Sequence, residues 1–169
     1  MSDFLIYIKL EKYVAEWLTY AMGRPVRFPR GSYENAIIHR YVCPTPPGTT
    51  PEIHSEGRVA IAIPDSQNKP VHLYNYFGVR GQKALKDAID ILFRLDLWSG
   101  LSPLLASPGE LNRGIDDWCA RHGISIDARE AVRQKFYRMR KNYSTFGIIL
   151  GKKYKKKYDN CVRNRTSGL

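Results

Sequence analysis

Residues 107–142, SPGELNRGIDDWCARHGISIDAREAVRQKFYRMRKN, decide the fold of the C-terminal part, because they carry the signals of two consecutive helices. Ser107, Pro108 and Glu110 form a capping box with proline at the first helical position, which predicts a helix that begins at Pro108. Gly123 is the left-handed residue expected just after the end of this helix. The chain is therefore expected to turn near Gly123 and to continue as a second helix.

A second capping box predicts where that helix starts. Asp127 is the expected cap and Glu130 follows three residues later, so we expect a helix that runs to about Asn142. One narrow apolar stripe recurs along it at helical spacing and is expected to be buried. The members of the stripe are Val132, Phe136, Met139 and Tyr143.

The solvent-facing side of this second helix is basic and predicts contact with nucleic acid. Arginine and glutamine side chains can hydrogen-bond base edges, whereas lysine and tyrosine suit phosphate contacts. The candidate contact residues on this face and its flanks are Arg129, Arg133, Gln134, Tyr137, Arg138, Arg140 and Lys141. A solvated basic helix without a partner is the alternative interpretation of the same pattern.

A preceding amphipathic helix is predicted from Gln82 to Trp98, since apolar residues recur there at helical spacing. The three helices, over residues 82–143, resemble the tri-helical helix-turn-helix arrangement, with a connection, GISI, somewhat longer than the tight form. The chain thereby resembles helix-turn-helix-containing DNA-binding accessory proteins of phages and mobile elements. This resemblance implies that the last of the three helices contacts a groove of DNA.

The net charge of +11 is segregated along the chain. Residues 1–120 contain 13 basic and 13 acidic residues, whereas residues 121–169 contain 14 basic and 3 acidic residues. A field of one sign attracts a polyanion, which could be nucleic acid, an anionic membrane surface or an acidic protein. A basic end that serves only solubility is the simpler alternative.

Residues 144–169 are expected to act as a basic tail. They include KKYKKKY at positions 152–158, which is too polar to form a core of its own. Lysines attract phosphates and tyrosines can stack on bases, so the interleaving favours nucleic acid, and no membrane contact is expected. The candidate contact residues of the tail are Lys152, Lys153, Tyr154, Lys155, Lys156 and Lys157.

Residues 1–80 are expected to form a small α+β region. A strand is predicted from Phe4 to Leu10 and a helix from Glu11 to Met22, whereas residues 32–42 fit either type. Two β-prone runs, residues 58–63 and 71–77, flank the turn-rich PDSQNKP and are expected to pair as a hairpin. The predicted fold class is therefore α+β, with this region followed by a helical, helix-turn-helix-like region at 81–143 and the basic tail at 144–169.

No cofactor or metal is expected from the sequence. Cys43, Cys119 and Cys161 are odd in number and far apart, which argues against a disulfide framework and a zinc site. A group of histidines and carboxylates matches no compact metal motif. Its members are His54, Glu56, Asp65 and His72. Because no export signal or membrane span is recognised, a cytoplasmic location is expected.

The expected function is non-catalytic binding of duplex DNA through the second capped helix and the tail, with the N-terminal region available to a protein partner. Two alternatives use the same basic end: RNA binding, and an assembly role in which the tail docks on an acidic protein. A metal-dependent nuclease that uses the histidines and carboxylates is the remaining alternative. The oligomeric state is left open.

Overall fold

The structure, a computed structural model, describes residues 4–50 and 57–146. Its class is α+β, with short strands in the N-terminal half and a helical C-terminal part, as predicted. In chain order the elements are β1 (Leu5–Lys9), α1 (Lys12–Met22), α2 (Tyr33–Tyr41), β2 (Val42–Pro44), β3 (Arg58–Ala62), β4 (Tyr74–Phe77), α3 (Val79–Leu101), α4 (Pro108–Arg121) and α5 (Arg129–Thr145). Short 3-10 turns lie at Ser102–Ala106 and Ile126–Ala128.

The strands pair across long stretches of sequence. β1 is antiparallel to β3, with Ile6 opposite Ile61, and Val26 adds a parallel bridge on the other side of Ile61. β2 is antiparallel to β4, with a register shift between Cys43 and Pro44. The predicted hairpin between residues 58–63 and 71–77 is therefore wrong, because each of its strands has a different partner.

The connection between β3 and β4 is anchored away from β3. Lys69 Nζ donates to the carbonyl oxygens of His39 at 2.6 Å and Val42 at 3.1 Å. These carbonyls lie near the end of α2 and at the start of β2, so the ammonium group draws the connection toward that corner. β4, which follows this connection, runs beside β2 rather than folding back on β3.

Residues 32–42, which fit either type from sequence, divide between a helix and a strand. The Ser32 hydroxyl accepts a hydrogen bond from the backbone N–H of Asn35 at 3.1 Å and caps α2. The helix ends at Tyr41, and β2 begins at the next residue. A side-chain cap of this kind stabilises a helix start by about 1 kcal/mol.

A single cluster of buried side chains extends from Ile6 to Met139, on both sides of the predicted region boundary at residue 80. Phe93 of α3 lies at its centre. Trp17 of α1 and Trp118 of α4 meet its ring edge-on, with centroids 5.3 and 5.9 Å away. The three C-terminal helices therefore share one core with α1.

The C-terminal helices match their predictions with differences at the ends. α3 extends beyond its predicted range of residues 82–98, and α4 begins at Pro108 as predicted. Within the described residues the Ser107 side chain makes no capping hydrogen bond; its carbonyl oxygen instead accepts from the N–H of Glu110 at 2.9 Å. None of the helices in the described ranges is long and apolar enough to cross a bilayer.

Candidate nucleic-acid interface

α5 carries all the helical residues that the sequence predicts as contacts. Its buried side chains are Val132, Phe136 and Met139, as predicted, and Phe136 stacks on Trp98 of α3 with ring centroids 5.6 Å apart. Tyr143, which was predicted to be buried with them, is 37% exposed and contacts Trp98 at 4.7 Å. The stripe is held by α3 and α4, and the opposite side of α5 faces solvent.

The start of α5 is fixed by α1 rather than by a capping box. The Asp127 carboxylate pairs with the Lys12 ammonium group. The neighbouring Glu16 accepts hydrogen bonds from the N–H and the hydroxyl of Ser125, at 2.9 and 2.7 Å. The predicted cap at Asp127 is therefore wrong, since residues 126–128 form a 3-10 turn and α5 begins one residue later. Residues 122–128 separate α4 from α5, a longer connection than predicted.

The link between α1 and this turn is ionic at neutral pH. The hydrogen bond from Lys12 is the main cause that lowers the pKa of Asp127, and a hydrogen bond with Ser125 adds to it. The same Asp127 hydrogen bond raises the pKa of Lys12. Both groups are therefore charged across the neutral range, and their ion pair joins the connection between α4 and α5 to α1.

The first half of α5 is tied to α4. The Arg133 guanidinium contacts the Asp116 carboxylate at 3.2 Å, and the Tyr137 hydroxyl donates to Asn112 Oδ1 at 3.1 Å. The later residue of α5, Tyr137, contacts the earlier residue of α4, Asn112. The two helices are therefore antiparallel where they meet. Two predicted contact residues, Arg133 and Tyr137, therefore have partners inside the protein.

Glu130 engages two further donors on its own helix. It accepts from Arg133 at 2.7 Å and from the Gln134 amide at 2.8 Å. The Gln134 hydrogen bond is the larger cause that lowers the pKa of Glu130, and the charge of Arg133 adds to it. Gln134 is exposed, yet its amide must leave Glu130 before it can contact a base edge.

Arg129, at the first position of α5, is half-buried beside α4. Its Nε atom is shielded from solvent and has no hydrogen-bond partner among the described residues. Burial raises the pKa of the Cys119 thiol to about 11, although the charges of Arg129 and Arg133 act in the opposite direction. The Arg129 guanidinium thus lies at the α4–α5 contact rather than on the open face.

The last turns of α5 present the cations that remain available. Arg138 and Lys141 are exposed and Arg140 is half-buried. Across residues 4–50 and 57–146, no ion pair involves these three side chains. In contrast, Lys135 pairs with Asp90 of α3 at 2.7 Å. The accessible positive charge of α5 is therefore concentrated toward its C-terminal end.

A polar groove of about 660 Å³ lies between α5, α3 and the start of α1. Its charged side chains balance, with three cations and three carboxylates: Lys86, Lys135, Arg138, Glu11, Asp87 and Asp90. A polyanion gains little from such a groove, because the attraction of each cation is offset nearby. Arg138 lines this groove and Lys141 does not, so nearby carboxylates offset the charge of Arg138 more than that of Lys141.

The tail candidates Lys152, Lys153, Tyr154, Lys155, Lys156 and Lys157 lie outside the described residues. On α4, sequence reasoning missed Asn112, which borders α5 through its hydrogen bond with Tyr137, and the exposed Arg113 that follows it in sequence. Arg113 was missed because the net charge of residues 1–120 is zero: the acidic residues of α3 and α4 offset its positive charge in that sum. Its signal was local: a basic residue on the polar face of a strongly amphipathic helix.

Of the four residues proposed above for a metal site, the structure describes only two. His54 and Glu56 lie outside the described ranges, His72 is exposed, and Asp65 accepts a hydrogen bond from the N–H of Val71 at 3.0 Å. Within residues 4–50 and 57–146 no group of three histidines, cysteines or carboxylates is placed to hold a metal ion. Cys43 and Cys119 are both free thiols, and Cys161 lies outside the described residues.

No protein-family model matches this chain, and no curated protein or solved structure matches it significantly. The resemblance to helix-turn-helix accessory proteins therefore stays a prediction.

Proposed function

We propose that this protein binds duplex DNA without catalysis, through the C-terminal end of α5 and the lysine-tyrosine tail. The observation that carries the proposal is the position of the excess charge. All of the +11 arises within residues 121–169, and the exposed cations of α5 that form no ion pair with another described residue lie at the end from which the tail continues. Such a surface suits the regularly spaced phosphates of a nucleic acid.

Phosphate contact is a better match for this surface than base reading. Arg133, Gln134 and Tyr137 would each exchange an internal partner for a base, whereas Arg138 and Lys141 need no such exchange. Phosphate contacts carry no sequence information by themselves, so we propose binding of low sequence specificity. The free thiols of Cys43 and Cys119 suit a reducing compartment, and we propose the cytoplasm.

The test is fluorescence anisotropy of a labelled DNA duplex titrated with the full chain over a series of salt concentrations. Each phosphate contact contributes about 0.9 to the slope of log affinity against log salt. Arg138→Glu with Lys141→Glu should lower that slope by about 2 and weaken binding. Ending the chain after Phe146 removes seven basic residues, the five tail lysines with Arg163 and Arg165, and should lower the slope by up to about 6.3.

The matched control is Arg80→Glu with Lys83→Glu, which makes the same change in net charge on exposed positions at the start of α3. If this control weakens binding as much as the α5 variant, the effect is one of overall charge and the proposed interface is wrong. If the full chain does not bind duplex DNA at low salt, DNA binding itself is excluded. If unlabelled single-stranded RNA displaces the labelled duplex at a lower concentration than unlabelled duplex DNA does, RNA is the favoured ligand.

A further inference from the structure

A groove with a mostly apolar lining lies between α1 and the strands β1 and β3. Its volume is about 850 Å³, within the range of about 300–1,000 Å³ that is typical of sites for small molecules. One wall is a stripe of α1, and the other is the strand pair with the segment that precedes Val26. The apolar side chains that line the groove are Leu5, Leu10, Ala15, Pro25, Val59 and Ala60.

Cations line the groove at one end of its strands. Lys9 of β1 lies directly opposite Arg58 of β3 in the register of the two strands. Arg24 lies toward the same end, because Val26 pairs in parallel with Ile61 and the residues before Val26 therefore run beside the start of β3. All three cations are exposed and line the groove. The groove thus combines an apolar lining with a row of positive charges.

The Lys9–Arg58 pair is unfavourable in the protein alone. Like charges directly opposite each other destabilise an antiparallel strand pair. The N–H of Ile63 donates to the carbonyl oxygen of Phe4, so alternate pairs from Phe4 to Ile8 are the hydrogen-bonded ones. Lys9 and Arg58 therefore form a non-hydrogen-bonded pair, the kind in which opposite side chains are closer. A bound anion would offset this repulsion.

The described carboxylates do not neutralise this end of the groove. Glu16 is the only carboxylate among the lining residues that the structure describes, and it already accepts hydrogen bonds from Ser125. Lys12, the fourth lining cation, pairs with a carboxylate of the α4–α5 connection. Across residues 4–50 and 57–146, no ion pair involves Lys9 or Arg24. These two cations can therefore take an anionic ligand without losing an ion pair to a described residue.

We propose that this groove binds a long-chain carboxylate, with its charged group at the end formed by Lys9, Arg24 and Arg58 and its hydrocarbon chain along the apolar lining. Removal of each methylene from water favours such a ligand, and the row of cations selects a negative charge at one end. Nucleic-acid phosphates would use the cations but leave the apolar lining without a partner. The site is separate from α5 and does not rest on the proposed DNA binding.

The test is isothermal titration calorimetry of the full chain with sodium dodecanoate below its micelle concentration, without nucleic acid. We expect one site per chain. Each methylene removed, in decanoate and then octanoate, should weaken binding by up to about fourfold, because less apolar surface is buried. Dodecyltrimethylammonium, which has the same chain with a positive charge, should not bind.

Variants of the cations test their part in the site. Lys9→Gln with Arg24→Gln should weaken dodecanoate binding by about tenfold, since two attractive charges are lost. Lys9→Arg with Arg24→Lys keeps both charges and should bind as the parent protein does. The matched control is Arg80→Gln with Lys83→Gln, which removes two charges from exposed positions of α3 outside the groove. This control should leave the affinity unchanged.

A measurement without ligand separates a binding role of Lys9 from a structural one. Lys9→Gln should raise the midpoint of urea unfolding slightly, because it removes the like-charge pair with Arg58. The same substitution should weaken dodecanoate binding, so stability and affinity should change in opposite directions. A lower midpoint would show that Lys9 stabilises the fold and would overturn the argument for an anion at this pair.

Failure to bind dodecanoate would overturn the proposal. Equal affinity of the parent protein and the double glutamine variant, or equal affinity for the carboxylate and the ammonium amphiphile, would overturn it in favour of non-specific apolar association. If dodecanoate does not bind and the double glutamine variant binds duplex DNA less tightly than the parent, the groove belongs to a nucleic-acid surface instead. Loss of DNA binding alone leaves the dodecanoate result intact, so the two proposals fail separately.

Discussion

Replacing Gly100 of α3 with alanine should destabilise the protein, although alanine is the better helix former. A Cβ atom at this position would lie 2.6 Å from Nε1 and 2.7 Å from Cδ1 of Trp118. The indole has no room to move, because it is buried, stacks on His122 with centroids 4.0 Å apart and meets Phe93 edge-on. Glycine is therefore required at this crossing of α3 and α4.

The net effect is the difference between two opposing contributions to the free energy of unfolding. Alanine in place of glycine in a helix interior stabilises by about 1 kcal/mol. Overpacking of a filled core costs about 1–3 kcal/mol, and a contact of this closeness with an immobile ring belongs at the upper end. We therefore expect a net loss of about 1–2 kcal/mol, equivalent to a fall in Tm of roughly 2–8 °C.

The measurement is urea denaturation followed by tryptophan fluorescence, with Gly109→Ala as the matched control. Gly109 lies in α4, and a Cβ atom there would meet nothing within 4 Å. The control should be as stable as the parent protein or slightly more stable. If Gly100→Ala also matches or exceeds the parent, then α3 does not approach Trp118 this closely and the packing described for the C-terminal helices is wrong.

Three further results are expected. Phe136→Ala should lower the free energy of unfolding by about 3–5 kcal/mol, since the ring is fully buried; a loss below about 1 kcal/mol would contradict its burial. Asp127→Ala should destabilise at neutral pH. Because folding lowers the pKa of Asp127, its contribution is complete above an unfolded pKa of about 4 and is lost as pH falls through the lower folded value, so parent and variant should converge in acid. With a thiol pKa of about 11, Cys119 should resist iodoacetamide at pH 8 until urea unfolds the protein, whereas Cys43 should react sooner.

The C-terminal helices were predictable because their signals are local. Pro108 can begin a helix but not continue one, and Gly123 adopts a φ of +67° that favours glycine. The stripe of Val132, Phe136 and Met139 is set by helical geometry alone. None of these inferences requires knowledge of which other part of the chain lies nearby.

The strand pairing was not predictable by the same means. Residues 58–63 alternate as a strand should, but alternation does not say which strand they join. Their partner, β1, is about fifty residues away in sequence, and Lys69 of the intervening chain bonds to the α2–β2 corner. A hairpin was the shortest connection, but β3 pairs with β1 and β4 with β2.

The helix caps failed for a related reason. Asp127 has the side chain and the position of a cap, but the ammonium group of Lys12, from the other end of the sequence, binds its carboxylate. The ammonium group is a charged donor, whereas a backbone N–H is a neutral one, although both bonds to an ionised carboxylate are charge-assisted. Local propensity describes only the partners that are close in sequence and contains no information about a partner that the fold supplies.

The candidate interface shows the same division between local and long-range information. The sequence of residues 129–145 is enough to predict that α5 is basic and that its apolar stripe is buried. Which of its cations remain available depends on α4, where Asp116 holds Arg133, and on α3, where Asp90 holds Lys135. Some of the acidic residues that make residues 1–120 neutral overall thus pair with the first half of the basic helix, and among the described residues no ion pair reaches its C-terminal end. For a polyanion, the surface of this protein is therefore defined as much by where α3 and α4 place their carboxylates as by the arginines and lysines of α5.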